Sequence, residues 1–250
     1  MGGLVDYPRL ILVIAFVVLW FAAWIGLKLN ERLHGIAEDL RSDYAVVLGA
    51  TLTLLGLIIG FSFSMAIGRY DQRKNYEEEE ANAIGTEYLR TDLLPANGAQ
   101  TRELLLQYTD LRIQFYTTRD ADVLKQIDAD TSRVQNEMWS AVSQPAVGQP
   151  NPVVGLAVAG MNDVINSQGY TLAAWRNRIP GSAWALLFAI GIFCNMLLGF
   201  GVRVPNGKLL IVLPLVTAIA FFLIADIDSP RRGRIAVHPQ NLETVRAGMK

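Results

Sequence analysis

The chain has 250 residues, of which 52% are hydrophobic and only 18% charged, with a formal net charge of -1. Soluble domains carry about 25% charged residues, and the deficit here is concentrated in a few blocks, as membrane spans require. The near-neutral balance argues against a nucleic-acid binder, which needs a basic face. One cysteine and two histidines, His34 and His238, argue against an internal disulfide and a Cys/His metal site.

A hydrocarbon core about 30 Å thick needs about 20 helical residues, and four stretches qualify. Span one is Leu10 to Leu29. It exceeds the apolar core of a signal peptide, about 7–15 residues, and Lys28-Leu29-Asn30-Glu31-Arg32 stands where a small-residue cleavage site would be. It is read as a retained span, with Trp20 and Trp24 suited to the headgroup level. The Met1-Gly2-Gly3 start is not read as a myristoylation site, because Asp6 stands where Ser or Thr is needed.

Span two, Tyr44 to Gly68, is the most informative. Gly56, Gly60, Ser64 and Gly68 recur every fourth residue, a spacing that lets helix backbones approach closely in lipid. Packing alone is the commoner role of such a stripe. Offset by roughly 60° around the helix lie Thr53, Leu57 and Phe61. Facing lipid or core is the ordinary fate of such residues. If several subunits surround an axis, however, Thr53, Leu57, Phe61 and Ser64 line a pore, and Leu57 with Phe61 forms a hydrophobic constriction that gates by dewetting.

An insert follows, from Arg69 to about Pro180. Its first part, to Leu94, continues span two as one long helix. It carries Arg73 with Glu77 and Lys74 with Glu78 as i,i+4 pairs, each contributing a few tenths of a kcal/mol. The run Glu77-Glu78-Glu79-Glu80 is usually a solvated face. The alternative is a ring of carboxylates, including Glu77 and Glu80, at the vestibule of a pore, which favours cations. Pro95 to Gly98 is a turn. A second helix follows Leu104, Tyr108, Leu111 and Phe115, and a third follows Leu124, Ile127, Val134 and Met138. Ser143 to Pro152 reads as a break, and a fourth helix runs from Val153 toward Trp175 with Leu156, Val164 and Ile165 on its apolar side. The insert is a helical bundle.

Span three is Ser182 to Val202, flanked by Trp175 and Trp184 at the expected interface level and containing Cys194 as a small packing residue. Span four is Leu209 to Ile227. Its Pro214 frees a carbonyl and is expected to kink the helix. Asp226 and Asp228 at its C-terminus oppose the helix dipole, so they are expected to pair with cations, with Arg69, Arg73 and Arg231 as candidates. Two carboxylates are too few for Ca²⁺, and no metal or other cofactor is expected.

Arg9, Arg69, Arg73, Lys74, Arg176, Arg178, Arg231, Arg232 and Arg234 lie on the side shared by both termini and the insert. Lys28, Arg32, Arg41, Arg203 and Lys208 lie on the other. The richer side is expected to be cytoplasmic. The division is therefore 1–68 for spans one and two, 69–180 for a cytoplasmic helical domain, 181–228 for spans three and four, and 229–250 for a cytoplasmic tail. The expected place is the cell (inner) membrane.

Gly60-Phe61, Arg69-Tyr70, Glu80-Ala81-Asn82-Ala83-Ile84-Gly85, Leu93-Leu94-Pro95 and the run Asp228 to Gly233 together resemble the bestrophin-like family of bacterial membrane proteins, relatives of the bestrophin ion channels. The resemblance to bestrophins themselves is thinner. It implies an all-α membrane protein assembled as a homo-oligomer, a pentamer in true bestrophins, that passes inorganic ions through the bilayer. It places a hydrophobic neck on Thr53, Leu57 and Phe61. Thr53 and Leu57 stand where bestrophins carry bulkier Ile and Phe, implying a wider neck. The acidic cluster that clasps Ca²⁺ in bestrophins is reduced here to Asp226 and Asp228.

The leading reading is thus an oligomeric ion channel with some preference for cations. Its rival is a non-conducting scaffold or sensor whose cytoplasmic bundle binds a protein. No nucleophile–base pair points to an enzyme, and no catalytic residue is assigned.

Overall fold

The computed structural model describes residues 4–94, 97–148, 151–202 and 209–249. In lipid a helix satisfies every backbone group within its own segment, and all four apolar blocks are helical: α1 (Pro8–Arg32), the first half of α2 (Arg41–Arg90), α6 (Gly181–Phe200) and α7 (Leu209–Asp228). Between and after them come α3 (Gly98–Thr117), α4 (Ala121–Gly148), α5 (Pro152–Arg176) and α8 (Gln240–Gly248). The protein is an all-α membrane protein with four helices long and apolar enough to cross a bilayer.

The chain divides into two compact units. The first holds the residues up to Arg69 together with Arg178–Ala236. Pro8 opens α1, where its missing N–H breaks no helical bond. Ile11, Ala15, Leu19, Ala22, Ala23 and Gly26 recur at helical spacing and are buried where α1 packs on α6 and α7. A methyl group on Gly26 would strike the carbonyl of Met196, and one on Gly199 would strike the carbonyl of Ala23. Two glycines thus bring the backbones of α1 and α6 into contact, as small residues do in membranes. Trp184 is buried in this bundle against Phe221. Pro214 lies inside α7, which continues past it.

The second unit comprises Tyr70–Asn177 and the residues from Val237 on. Its core joins Ile84 of α2, Leu105, Tyr108 and Phe115 of α3, Ile127, Val134 and Met138 of α4, Val154, Met161 and Val164 of α5, and Leu242 of α8. Trp175 is buried here against Phe115 and Tyr116. Leu156 departs from its expected place and is 52% exposed. The buried side chains in this part of α5 include 154, 157, 161 and 164, and one residue back from 157 turns a side chain about 100° off that stripe.

The break expected from Ser143 does not begin there, because α4 runs on to Gly148. Pro145 cannot donate to the carbonyl of Ala141. That carbonyl accepts instead from the Asn97 side chain at 3.4 Å, so the helix continues with its bond replaced. Of the expected turn, Pro95 and Ala96 lie outside the described residues, while Asn97 takes the left-handed conformation (φ 66°) that a turn asparagine tolerates.

Candidate functional site

Two regions carry the residues singled out from sequence. The first is the apolar half of α2. Two described bonds tie it to α6: the Tyr44 hydroxyl donates to the Leu197 carbonyl, and the Cys194 thiol lies 3.3 Å from the Thr51 carbonyl. Thr53, Leu57, Phe61 and Ser64 are all exposed, Leu57 at 52% and Phe61 at 63%. The Thr53 hydroxyl donates to the Gly49 carbonyl at 2.9 Å, leaving its methyl group outward. No described atom outside the helix lies within 4 Å of a methyl group built on Gly49, Gly56, Gly60 or Gly68. Buried within the protomer are 11% of the most apolar stretch of this span, against 33% for α1 and 50% for α7. The small-residue face and the Leu57–Phe61 face are therefore both uncovered.

The second region is a charged cluster in the first unit, where α7 ends. Asp228 is buried. It accepts from Arg178 Nε at 3.1 Å and from the backbone N–H of Ile179, while Arg69 Nη1 lies 3.9 Å away. Arg178 also reaches Asp6 at 2.7 Å. The expected pairing of Asp228 with Arg69 is present, and Arg178 holds the carboxylate more closely. Asp228 thereby sits just before the N-terminus of α6, where a negative charge is favoured.

Asp226 departs from expectation. Both its oxygens accept the backbone N–H of Arg234 at 3.0 Å, and Oδ2 also accepts that of Ile235 at 3.0 Å. It braces the returning loop through main-chain bonds. A methyl group on Gly233 would strike the Asp226 carbonyl, so the Asp-Ser-Pro-Arg-Arg-Gly run ends in the one residue that lets the loop fold back. Arg232 lies with its guanidinium 4.1 Å from the centre of the Tyr7 ring.

The charged half of α2 overturns the vestibule expectation for two of its glutamates. Glu77 is 1% exposed and Glu80 is fully buried, while Glu78 and Glu79 face outward. Glu77 accepts from the backbone N–H groups of Asn241 and Leu242 at 3.0 Å and from the Asn241 side chain at 2.6 Å. It therefore caps the start of α8, satisfying donors that a helix leaves open. Glu80 binds Arg112 Nε at 2.5 Å, Thr171 Oγ1 at 3.1 Å and Tyr116 Oη at 3.4 Å. A helix period of 3.6 brings i and i+3 onto one face, which turns Glu77 and Glu80 inward together. Arg73 is also buried, in the same unit.

Burial works against the charge of Arg112, yet the Glu80 carboxylate beside it holds its pKa above the ordinary arginine value. Burial first, and then the Glu80 charge, push the Tyr116 hydroxyl up as well. Sequence reading missed Arg112 and Arg178. Arg112 stands four residues after Tyr108 on the apolar face of α3, an arginine in a buried register, and that signal was available. Arg203 and Lys208, counted for orientation, lie outside the described residues.

Four apolar helices, a helical unit inserted after the second, and a braced acidic corner after the fourth define a polytopic helical membrane protein of the bestrophin architecture. The Bestrophin-like domain model matches residues 11–242, and the chain belongs to that family. Its structure is similar to a bacterial bestrophin homologue from Klebsiella pneumoniae carrying a mutation, at a TM-score of 0.67 and 13% identity over 95% of this chain and 97% of the other. A second structure of a Klebsiella pneumoniae bestrophin homologue gives 0.65 at 15% identity over 95% and 96%. A crystal structure described only as a membrane protein variant gives 0.68 at 14% identity over 95% and 96%. At these identities the likeness establishes the fold. No curated protein matches the chain.

Proposed function

We propose that this protein is a homo-oligomeric ion channel whose pore wall is the apolar half of α2, with Thr53, Leu57, Phe61 and Ser64 facing the ion path. Membership of the Bestrophin-like family supports channel function as the class. The observation that carries the reading is the uncovered state of α2. A stripe of glycines with no neighbour among the described residues is suited to close contact with another helix. When the glycine face packs on the next subunit, the face about 60° away turns toward the axis. Leu57 and Phe61 then narrow the path into a dewetting constriction.

A pentamer is the number the family resemblance favours. Lys and Arg density puts both termini and the helical unit on the cytoplasmic side of the cell (inner) membrane. Glu78 and Glu79 are the glutamates of the acidic run left exposed, and preference for cations rests on them rather than on Glu77 and Glu80.

The test is ion flux into liposomes containing the purified protein, with K⁺, Na⁺ and Cl⁻ gradients applied separately. Selective flux that rises in Phe61→Ala is expected. No flux under any gradient, from protein shown to be assembled and oriented, would overturn the channel and favour a scaffold that binds a cytoplasmic protein.

A further inference from the structure

Glu87 stands apart from the neighbouring buried glutamates. Glu77 and Glu80 each have at least three hydrogen bonds or ion contacts. Glu87, on the same helix and fully buried, has a single loose ion contact, and among the described residues neither of its carboxyl oxygens has a hydrogen-bond partner. A methyl group on Gly160 of α5 would strike both Glu87 Oε2 and Arg90 Nη1. The carboxyl thus packs directly against the α5 backbone at Gly160.

The charges around it do not neutralise it. Arg90, one turn along α2, keeps its Nη1 3.9 Å from Glu87 Oε2 and donates that group to the Leu156 carbonyl at 3.3 Å. Asp163, from α5, acts on Glu87 with the same sign of charge. The short helical turn Thr91–Leu93 also packs on α5, and its Asp92 is bound by Arg102. From α8, Val245 faces Gly85, and Arg246 is held by Asp110 at 2.8 Å. An ionised carboxylate left without hydrogen bonds in a packed helix contact is costly, and such a group takes up a proton instead.

We propose that Glu87 is a proton-binding site at the α2–α5 contact, holding the two helices together when neutral and loosening them when it ionises. Burial first, opposed by Arg90 and reinforced by Asp163, raises its pKa to about 8, which puts the change within the physiological range. The inference concerns the packing of the second unit alone and stands whether or not the protein conducts ions.

The sign follows from linkage. An unfolded chain loses the Glu87 proton near the ordinary 4.5, whereas the folded protein keeps it to about 8. This group therefore favours folding below about 4.5, and its contribution declines as pH rises to about 8 and stays level above. The experiment is infrared spectroscopy of the full-length protein in detergent micelles, taking wild type minus Glu87→Gln from pH 6 to pH 9. The expected result is a protonated-carboxyl band at pH 6 that disappears with a midpoint near pH 8, and whose midpoint falls in Asp163→Asn, a change at an exposed position. Hydrogen exchange in α5 around Gly160, corrected for intrinsic rates, is expected to accelerate above that midpoint in wild type and to stay flat in Glu87→Gln. A carboxyl already ionised at pH 6, or an α5 response identical in wild type and Glu87→Gln, would overturn the proposal.

Discussion

A buried ion pair holds its place mainly because removing one partner strands the other. Arg112 and Glu80 are both fully buried and directly bonded, with Thr171 and Tyr116 completing the carboxylate's shell. Arg112→Leu would leave Glu80 with two hydroxyl partners and no cation. The expected cost is about 3–5 kcal/mol, read as a lower midpoint of thermal unfolding in detergent. Adding Glu80→Gln to that variant should recover part of the loss, because a neutral amide no longer needs a cation. An Arg112→Leu protein as stable as wild type would show that the pair does not fix the contact between α2 and α3. At this scale the sequence is a poor guide. Four glutamates in a row look alike, and only the packed helices decide that the first and fourth are buried while the second and third are exposed. Asp226 misleads for a related reason: an acidic residue near arginines suggests an ion pair, while the loop that returns past it offers backbone N–H groups instead.

At the scale of elements, α8 shows how a short segment is held. Nine residues make a helix too short to persist alone in water, so tertiary contacts must supply its stability. Leu242 is buried in the core, Arg246 binds Asp110 at 2.8 Å, and Glu77 accepts the two backbone N–H groups at its start. The Glu77 carboxylate supplies from a neighbouring helix what a cap residue supplies within one, a contribution of about 1 kcal/mol when such a cap is removed. Glu77→Ala is therefore expected to free α8 selectively. Limited proteolysis followed by mass spectrometry should show earlier cleavage in residues 237–249, while cleavage elsewhere keeps its wild-type rate. Equal protection of the tail in both proteins would mean that Leu242 and Arg246 suffice. The membrane helices are legible in sequence because about twenty apolar residues in a row have few other folds open to them. The end of α4 is not: the Ala141 carbonyl that Pro145 leaves open is bonded by Asn97, 44 positions earlier in the chain.

For the whole molecule the question is what covers α2. The helices of the first unit pack α1, α6 and α7 closely together, with two glycine contacts at backbone distance. α2 carries glycines at similar density, and none of its span glycines touches a neighbour among the described residues. Lipid covers exposed Leu and Phe as readily as protein does, so Leu57 and Phe61 alone say nothing about assembly. Glycine is different: it offers lipid little apolar surface and offers another helix a close approach. The spacing of Gly56, Gly60, Ser64 and Gly68 therefore carries the case for a neighbouring subunit, and the spacing is readable from sequence, though its lack of a partner among the described residues is not. Gly60→Leu would place a large side chain on that stripe and hold the neighbouring backbone away. A methyl group there meets nothing among the described residues, so the monomer's fold should survive, as judged by an unchanged helical circular dichroism signal. Native mass spectrometry in mild detergent should then shift from a single homo-oligomer to smaller species. Leu54→Ala, at an exposed position off the stripe, should leave the oligomer intact. An oligomer that withstands Gly60→Leu would move the subunit contact off this face, and with it the reason for turning Leu57 and Phe61 toward an axis.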